Sequence, residues 1–422
     1  REEAALNELL RSNHLYSQEA STVVPLDVSR IKIFQRRLKP QNALSLCPPH
    51  VHSLLKFKDQ FVEKTQPEID AEADSFVAVT PYWDSGLKGS RSRRVDLYQC
   101  LFGSGLLCFR RKRKSTISFF TVRKKDGWQR LILDDRRTNQ YHKPPPSTRL
   151  STPSCFVDID MTDETLQNRG FGGILGESIH AAGNEGDVGD CFYNFEIPSL
   201  ASWFATMDRF STSELEEFGM CPDKIYDDDT GRFEKVVPGE FLIPCFQGVP
   251  MGWSWALHIA NEIVSHQVAL ACQTGDVAHL KDKQVAPEVV PGRVLVGTYV
   301  DNVQVIGGCY EDVDKHMGKV VEWFSKLGIP FTTAGDGALA EFETLGLVFD
   351  MEARCIRHRP ARARRLYQAT RALLRRGRLR GEVVRVWLGH VIHHFQLQRL
   401  AMSSIHACYR FVQASLSKRI EV

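Results

Sequence analysis

The stretch Leu295-Val296-Gly297-Thr298-Tyr299-Val300-Asp301-Asn302-Val303-Gln304-Val305-Ile306-Gly307 constrains the rest of this chain more than any other. Apolar, β-branched runs flank a tight turn, a composition that predicts a β-hairpin. The tip carries a carboxylate and a carboxamide, Asp301 and Asn302, where a short hairpin turn usually has Gly. Asp and Asn are also ordinary turn residues, so the stretch alone leaves both readings open. A carboxylate fixed on a rigid hairpin can hold a metal ion at a set distance from a substrate. That use needs a second carboxylate, a nucleotide pocket and a nucleic-acid track elsewhere in the chain.

The chain has 422 residues, of which 43% are hydrophobic. That is enough for several subdomains with a globular core, and it excludes general disorder. Net charge is only +3, but the positive charge is clustered, and clustering decides whether a polyanion can be held. Eleven cysteines are scattered without a C-x-x-C pair, which argues against a zinc ribbon or a disulfide framework and fits a reducing compartment. The chain opens Arg1-Glu2-Glu3 with no apolar leader, and no apolar run approaches membrane-spanning length. An intracellular site and no membrane partner are expected, and the missing initial Met points to a fragment or a processed chain.

Taken in order, residues 1 to about 75 predict short helices and loops punctuated by Pro25, Pro40, Pro48 and Pro49. A short helix is expected over Val95 to Leu107, followed by the basic cluster Arg110 to Lys114. Ile117 to Val122 and Trp128 to Leu133 read as two strands around the charged turn Arg123-Lys124-Lys125-Asp126-Gly127. A ribbon tipped with Lys and Arg suits gripping a polyphosphate, though a solvated surface hairpin has the same composition. Residues 147 to 186 read as loop, and Asp187 to Phe195 as the opening of a helical or turn element. Asp227, Asp228 and Asp229 read as a solvated acidic loop. Helices are expected over Trp255 to Leu270 and over Val313 to Leu327, the latter capped by Gly328. Leu345 to Phe349 with Cys355 to Arg357 reads as another hairpin. Arg354 to Arg380 holds eleven Arg and no Asp or Glu, and the tail from Glu382 is helical in pattern. His390, His393, His394, His406 and Cys408 are read as surface or core residues rather than a zinc site.

Four motifs in this order resemble those of the reverse transcriptases of retroelements and retroviruses. Lys124-Lys125-Asp126-Gly127-Trp128-Gln129-Arg130 through Asp134-Asp135-Arg136-Arg137-Thr138-Asn139 is similar to the fingers ribbon. Asp187-Val188-Gly189-Asp190-Cys191-Phe192 is similar to the palm motif that carries the first catalytic Asp. Pro250-Met251-Gly252-Trp253-Ser254 resembles the Pro-Gln-Gly motif beside the templating base. Tyr299-Val300-Asp301-Asn302 resembles the Tyr-x-Asp-Asp hairpin.

The resemblance implies an α+β right-hand polymerase architecture. Residues 1–94 would be an N-terminal helical and loop extension, 95–186 fingers-like, 187–350 palm-like with an antiparallel sheet, and 351–422 a helical thumb or connection. It implies RNA-directed DNA polymerase activity, with dNTP as substrate and an RNA or DNA template carrying a primer. Two Mg²⁺ ions about 3.5–4 Å apart, or Mn²⁺, would serve the in-line displacement. Asp187 and Asp301 are the expected metal ligands, with Asn302 beside them at the catalytic turn. Lys124, Lys125, Arg130, Asp190, Phe192, Met251 and Gly252 are the expected nucleotide-binding residues. Phe192, five residues after Asp187, would be the steric gate against a ribose 2′-hydroxyl, or else an ordinary core aromatic. The amides of Gly189 to Phe192 would form a nest for the triphosphate. Arg362, Arg364, Arg365, Arg371, Arg375 and Arg376 are expected on the nucleic-acid backbone. The resemblance leaves a nuclear or a cytoplasmic site open.

The sequence departs from the motifs at three points. Asn302 stands where a second hairpin Asp is usual, and Met251 where a Gln is usual. Ala181 to Gly186 reads as a poor strand, which leaves Asp158 or Asp160, in the better strand Cys155 to Asp160, as alternative first carboxylates. The second reading is therefore a weakened or inactive reverse transcriptase-derived protein that binds nucleic acid. An RNA-templated RNA polymerase is disfavoured by the bulk of Phe192.

Overall fold

The computed structural model describes residues 1–12, 23–36, 39–72, 79–124, 126–172, 179–273, 275–376 and 379–417. Strand Val294–Tyr299 pairs antiparallel with Asn302–Gly307, and Tyr299 opposite Asn302 leaves Val300 and Asp301 as the turn. This hairpin lies inside a five-stranded sheet ordered Val277–Leu280, Val294–Tyr299, Asn302–Gly307, Ala182–Val188, Phe331–Thr333. Only its first pair is parallel. The near-continuous apolar runs are explained by burial of both faces. Val294, Val296, Val303 and Val305 pack with helices Ala256–Cys272 and Tyr310–Lys326, while Leu295 and Ile306 pack with Phe156, Phe342 and Phe349. The second of these helices begins at Tyr310, ahead of the expected Val313, with Glu311 and Asp312 in its first turn, and Gly328 at φ +69° follows its end as the sequence predicts.

The basic ribbon forms as strands Ser118–Arg123 and Gln129–Asp134, turned at Gly127 with φ +83°. Val23–Val24 adds a third strand to it. Strands Glu341–Thr344, Leu347–Asp350 and Cys355–His358 make a separate antiparallel sheet. Helices Pro360–Arg376, Gly381–Phe395 and His406–Ser417 follow it. Helix Glu2–Ser12 returns onto the first of these through Leu6 and Leu9, which meet Ala369, Ala372 and Leu373. Sheets that are mainly antiparallel, with helices in separate runs, define an α+β chain.

Several expectations are corrected. The expected helix over 95–107 is Arg91–Gly103, and Leu107–Arg110 is a strand. Residues 147–186 are not all loop, because they contain helices Pro153–Val157 and Asp163–Asn168 and most of strand Ala182–Val188. Cys155 to Asp160 is not a strand, and Asp160 instead accepts from the Thr162 amide at 3.2 Å and the Thr165 hydroxyl at 2.9 Å. Of Asp227 to Asp229, Asp229 is exposed as expected, but Asp227 and Asp228 are partly buried. Asp227 and Asp229 pair with Arg111 and Lys112, and Asp228 accepts from Ser202 at 3.2 Å. The basic cluster 110–114 thus meets an acidic hairpin that sequence distance conceals.

Candidate active site

Ala182–Val188 is a central strand despite its Gly, Asn and Glu content, and its glycines show why. A Cβ at Gly183 would overlap the Phe342 ring, and one at Gly186 the Phe331 ring. The strand lacks side chains where the ends of aromatic rings from neighbouring elements approach its backbone closely. Its far end carries Asp187, in register with Asn302 on one side and Thr332 on the other. The Val188 amide donates to the Asp301 carbonyl at 2.9 Å, which fixes the hairpin tip against the strand end.

The tip itself is held from the helix side. Val300 has φ +59°, a conformation that a β-branched residue avoids. Its side chain is buried, and its amide donates to Asn261 Oδ1 at 3.1 Å, from helix Ala256–Cys272. Packing and this bond hold a strained turn that aims Asp301.

Asp187, Asp301, Lys124, Arg130, Asp190, Phe192 and Met251 open into one cavity of about 470 Å³ between the ribbon and the sheet. Gly252 and Asn302 border it without lining it, and Lys125 lies outside the described residues. Burial first, then Asp301 and Asp190, push the Asp187 carboxyl above its ordinary range. Burial also raises Asp301, against the lowering effects of the Asn302 amide and the Arg130 charge. Asn302 donates to Asp301 Oδ1 at 3.0 Å. Asp190 adopts φ +53° and pairs with Arg36 at 3.1 Å. The Gly189 amide is spent on the Pro330 carbonyl at 2.9 Å and is not available to the expected anion nest. Asn139 clamps the Met251 loop, donating to the Gly252 carbonyl and accepting from the Ser254 amide, each at 2.9 Å.

Three participants escaped the sequence reading. Glu185 shares the face of Asp187, and burial raises it, as do Asp187 and Asp301. Arg36 and Asn261 arrive from distant segments. The two-residue period would have exposed Glu185 had 182–188 been read as a strand; Arg36 and Asn261 leave no local signal. Among the described residues, no group of three His, Cys, Asp or Glu side chains is arranged to hold a metal ion.

The arginine helix is largely engaged. Arg365 pairs with Glu8, Arg371 and Arg375 with Glu2, and Arg376 with Glu3, all from helix Glu2–Ser12. Arg364 is exposed, and Arg362 lines a separate cavity.

No family model and no curated protein matches the chain. Among solved structures, it is similar to that of a foamy viral protease-reverse transcriptase dRH in complex with double-stranded DNA, at 13% identity and a TM-score of 0.46. The match covers 90% of this chain, which spans 58% of that one. No helix among the described residues is long and apolar enough to cross a membrane.

Proposed function

We propose that the cavity between the ribbon and the central sheet carries out template-directed nucleotidyl transfer, and that the chain is the polymerase part of a retroelement reverse transcriptase. One observation carries this reading: Asp187 and Asp301, on adjacent elements of one sheet, open into a single cavity with Arg130, Lys124, Phe192 and Met251. The division into extension, fingers, palm and thumb at residues 94, 186 and 350 belongs to the same proposal.

The two carboxylates suit hard divalent cations, since they are partly buried oxygen donors whose mutual repulsion a cation would relieve. Bound Mg²⁺ or Mn²⁺ would neutralise phosphate charge and acidify the attacking 3′-hydroxyl. Arg130 and Lys124 then hold the outer phosphates of a dNTP, Arg130 by its fork. Phe192 packs under the sugar and leaves no room for a 2′-hydroxyl. Met251 and Gly252, positioned by Asn139, border the templating base. Asn302 supports the second reading, a nucleic-acid-binding protein without catalysis, because its amide is committed to Asp301.

Primer extension on poly-rA with dTTP, in Mg²⁺ and in Mn²⁺, separates the two readings. Extension by wild type that Asp301→Ala abolishes supports the polymerase. Activity that appears only in Asn302→Asp indicates a scaffold silenced at one residue. Silence from all three proteins, with the duplex still bound, favours the binding protein.

A further inference from the structure

A second cavity, of about 510 Å³, lies where the Pro360–Arg376 helix begins. Its charged and titratable lining is Arg359, Arg362, Arg365, His390 and His394, with no carboxylate among the lining residues. Arg359 and Arg365 reach glutamates from other elements, Glu343 and Glu8. Among the described residues, Arg362 has no carboxylate within ion-pair reach. Its guanidinium is half-buried against the bare backbone of Gly346, which turns with φ +75°; a Cβ there would sit 2.5 Å from Arg362 Nη1. The turn is itself tied down by His393, whose Nε2 lies 3.2 Å from the Leu345 carbonyl.

Burial, then Arg365 and Arg359, lower the Arg362 pKa. Burial, then Arg362, lower those of His390 and His394. Arg359 and Arg365 are solvated and ion-paired, with side chains 56% and 39% exposed, so the uncompensated charge in this recess without a lining carboxylate is that of half-buried Arg362. The Gly346 turn sets the wall against which Arg362 lies, and His394 beside it stacks on His358 with ring centroids 4.1 Å apart. An oxyanion relieves that arrangement, because the planar Arg362 guanidinium matches two of its oxygens and the His394 imidazole supplies a further hydrogen bond, while His390, itself bonded to the Leu9 backbone, lines the same recess.

We propose that this cavity is a phosphate-group site, anchored by Arg362 with His390 and His394 beside it. It is separate from the carboxylate cavity and rests on the polymerase reading only for one source of the phosphate, the backbone of a bound strand. A free polyphosphate presents the same chemistry.

The full chain, as wild type, Arg362→Gln, Arg362→Lys and His394→Gln, is titrated with inorganic pyrophosphate and with an RNA–DNA duplex over a range of salt. Arg362→Gln is expected to weaken binding on the order of tenfold. The duplex salt slope should fall by about 1. Arg362→Lys should keep the slope while losing affinity, because the charge stays and the fork is lost. His394→Gln, which leaves Arg362 in place, provides a second test should Arg362→Gln fold poorly, and it too should weaken binding. Loss of duplex affinity assigns the backbone phosphate. Loss for pyrophosphate alone assigns a free phosphoanion. Unchanged binding of both ligands by the folded variants overturns the site. Failure of the polymerase reading is seen separately, as absence of primer extension by wild type.

Discussion

Asn302 donates its side-chain amide to Asp301 Oδ1 at 3.0 Å, so the residue that departs from the Tyr-x-Asp-Asp pattern orients the carboxylate beside it. The bond favours the ionised form of Asp301, which burial otherwise disfavours. Asn302→Ala should therefore raise the Asp301 pKa and move the acid limb of the extension rate to higher pH. The rate should drop roughly tenfold through lost orientation. Asn302→Asp removes the donor and adds a charge, so it should lower the Mg²⁺ concentration needed for half-maximal extension. A pH–rate profile for Asn302→Ala that overlays the wild type would show that the bond orients nothing.

The carboxylates Glu185, Asp187 and Asp301 all have raised pKa values, with burial as the first cause. Groups raised in the folded state contribute stability that is complete below their unfolded values, about 4. That contribution is lost as pH rises through the folded values. The metal-free protein is thus handicapped at pH above this window, where a divalent cation on Asp187 and Asp301 offsets the repulsion. Mn²⁺ or Mg²⁺ should raise the melting temperature more at pH 8 than at pH 5. Asp187→Asn with Asp301→Asn should raise the metal-free melting temperature at pH 8 and abolish the cation effect. Melting curves in chelator and in metal decide it, and an equal metal shift at both pH values would remove these carboxylates as ligands.

Helix Glu2–Ser12 sets Glu2, Glu3 and Glu8 against four arginines that would otherwise be free for a phosphate backbone. The arginine side chains of these pairs are 38–65% exposed, and ion pairs solvated to that degree add little to stability. Their larger effect is to neutralise charge. Glu2→Gln, Glu3→Gln and Glu8→Gln together should leave the melting temperature nearly unchanged. Duplex affinity at low salt should rise on the order of tenfold, with a steeper salt slope. Fluorescence anisotropy against salt measures both. Unaltered affinity would mean that these arginines face helix Glu2–Ser12 and not nucleic acid.

The elements legible in the sequence were those whose own composition specifies them. The 294–307 hairpin, the 118–134 ribbon and the helix ending at Gly328 follow from β-branched runs, a charged Gly turn and a capping glycine. Ala182–Val188 was illegible because its strand identity comes from its neighbours. Phe331 and Phe342 need the space at Gly186 and Gly183, and two partner strands supply the hydrogen bonds. The same reason hid the partners of the site, since Arg36 meets Asp190 across 154 residues and Asn261 meets Val300 across 39. It also hid the pairing of the basic cluster with Asp227 and Asp229, because charges read along the chain are solvated until the fold brings their counterions.

Asp134 and Asp135 are adjacent carboxylates that the fold drives in opposite directions. Asp134 is desolvated, but Arg136 and the Tyr82 amide, at 2.7 Å, more than compensate and hold its pKa low. Asp135 is 1% exposed, and neither oxygen has a hydrogen-bond partner among the described residues. Burial, then Asp134, push it well above the usual carboxylate range. A proton held in the folded state and released in the unfolded chain gives a stability term complete below about 4. It is lost as pH rises through the folded value. Asn reproduces the neutral form, so Asp135→Asn should exceed wild type by about 1–3 kcal/mol at pH 8. The advantage should shrink toward zero as pH falls below 4, where Asp135 is protonated in both states. Asp134→Asn should do the reverse, because a lowered pKa adds stability above the unfolded value and loses it as pH falls. Urea midpoints for both variants from pH 3 to pH 8 test the pair. A constant Asp135→Asn difference across that range would mean that the carboxyl is ionised in the fold. Because Asp135 Oδ2 lies 3.0 Å from where a Gly252 Cβ would stand, an ionised carboxyl would then need a cation or an ordered donor directly behind the Met251 loop.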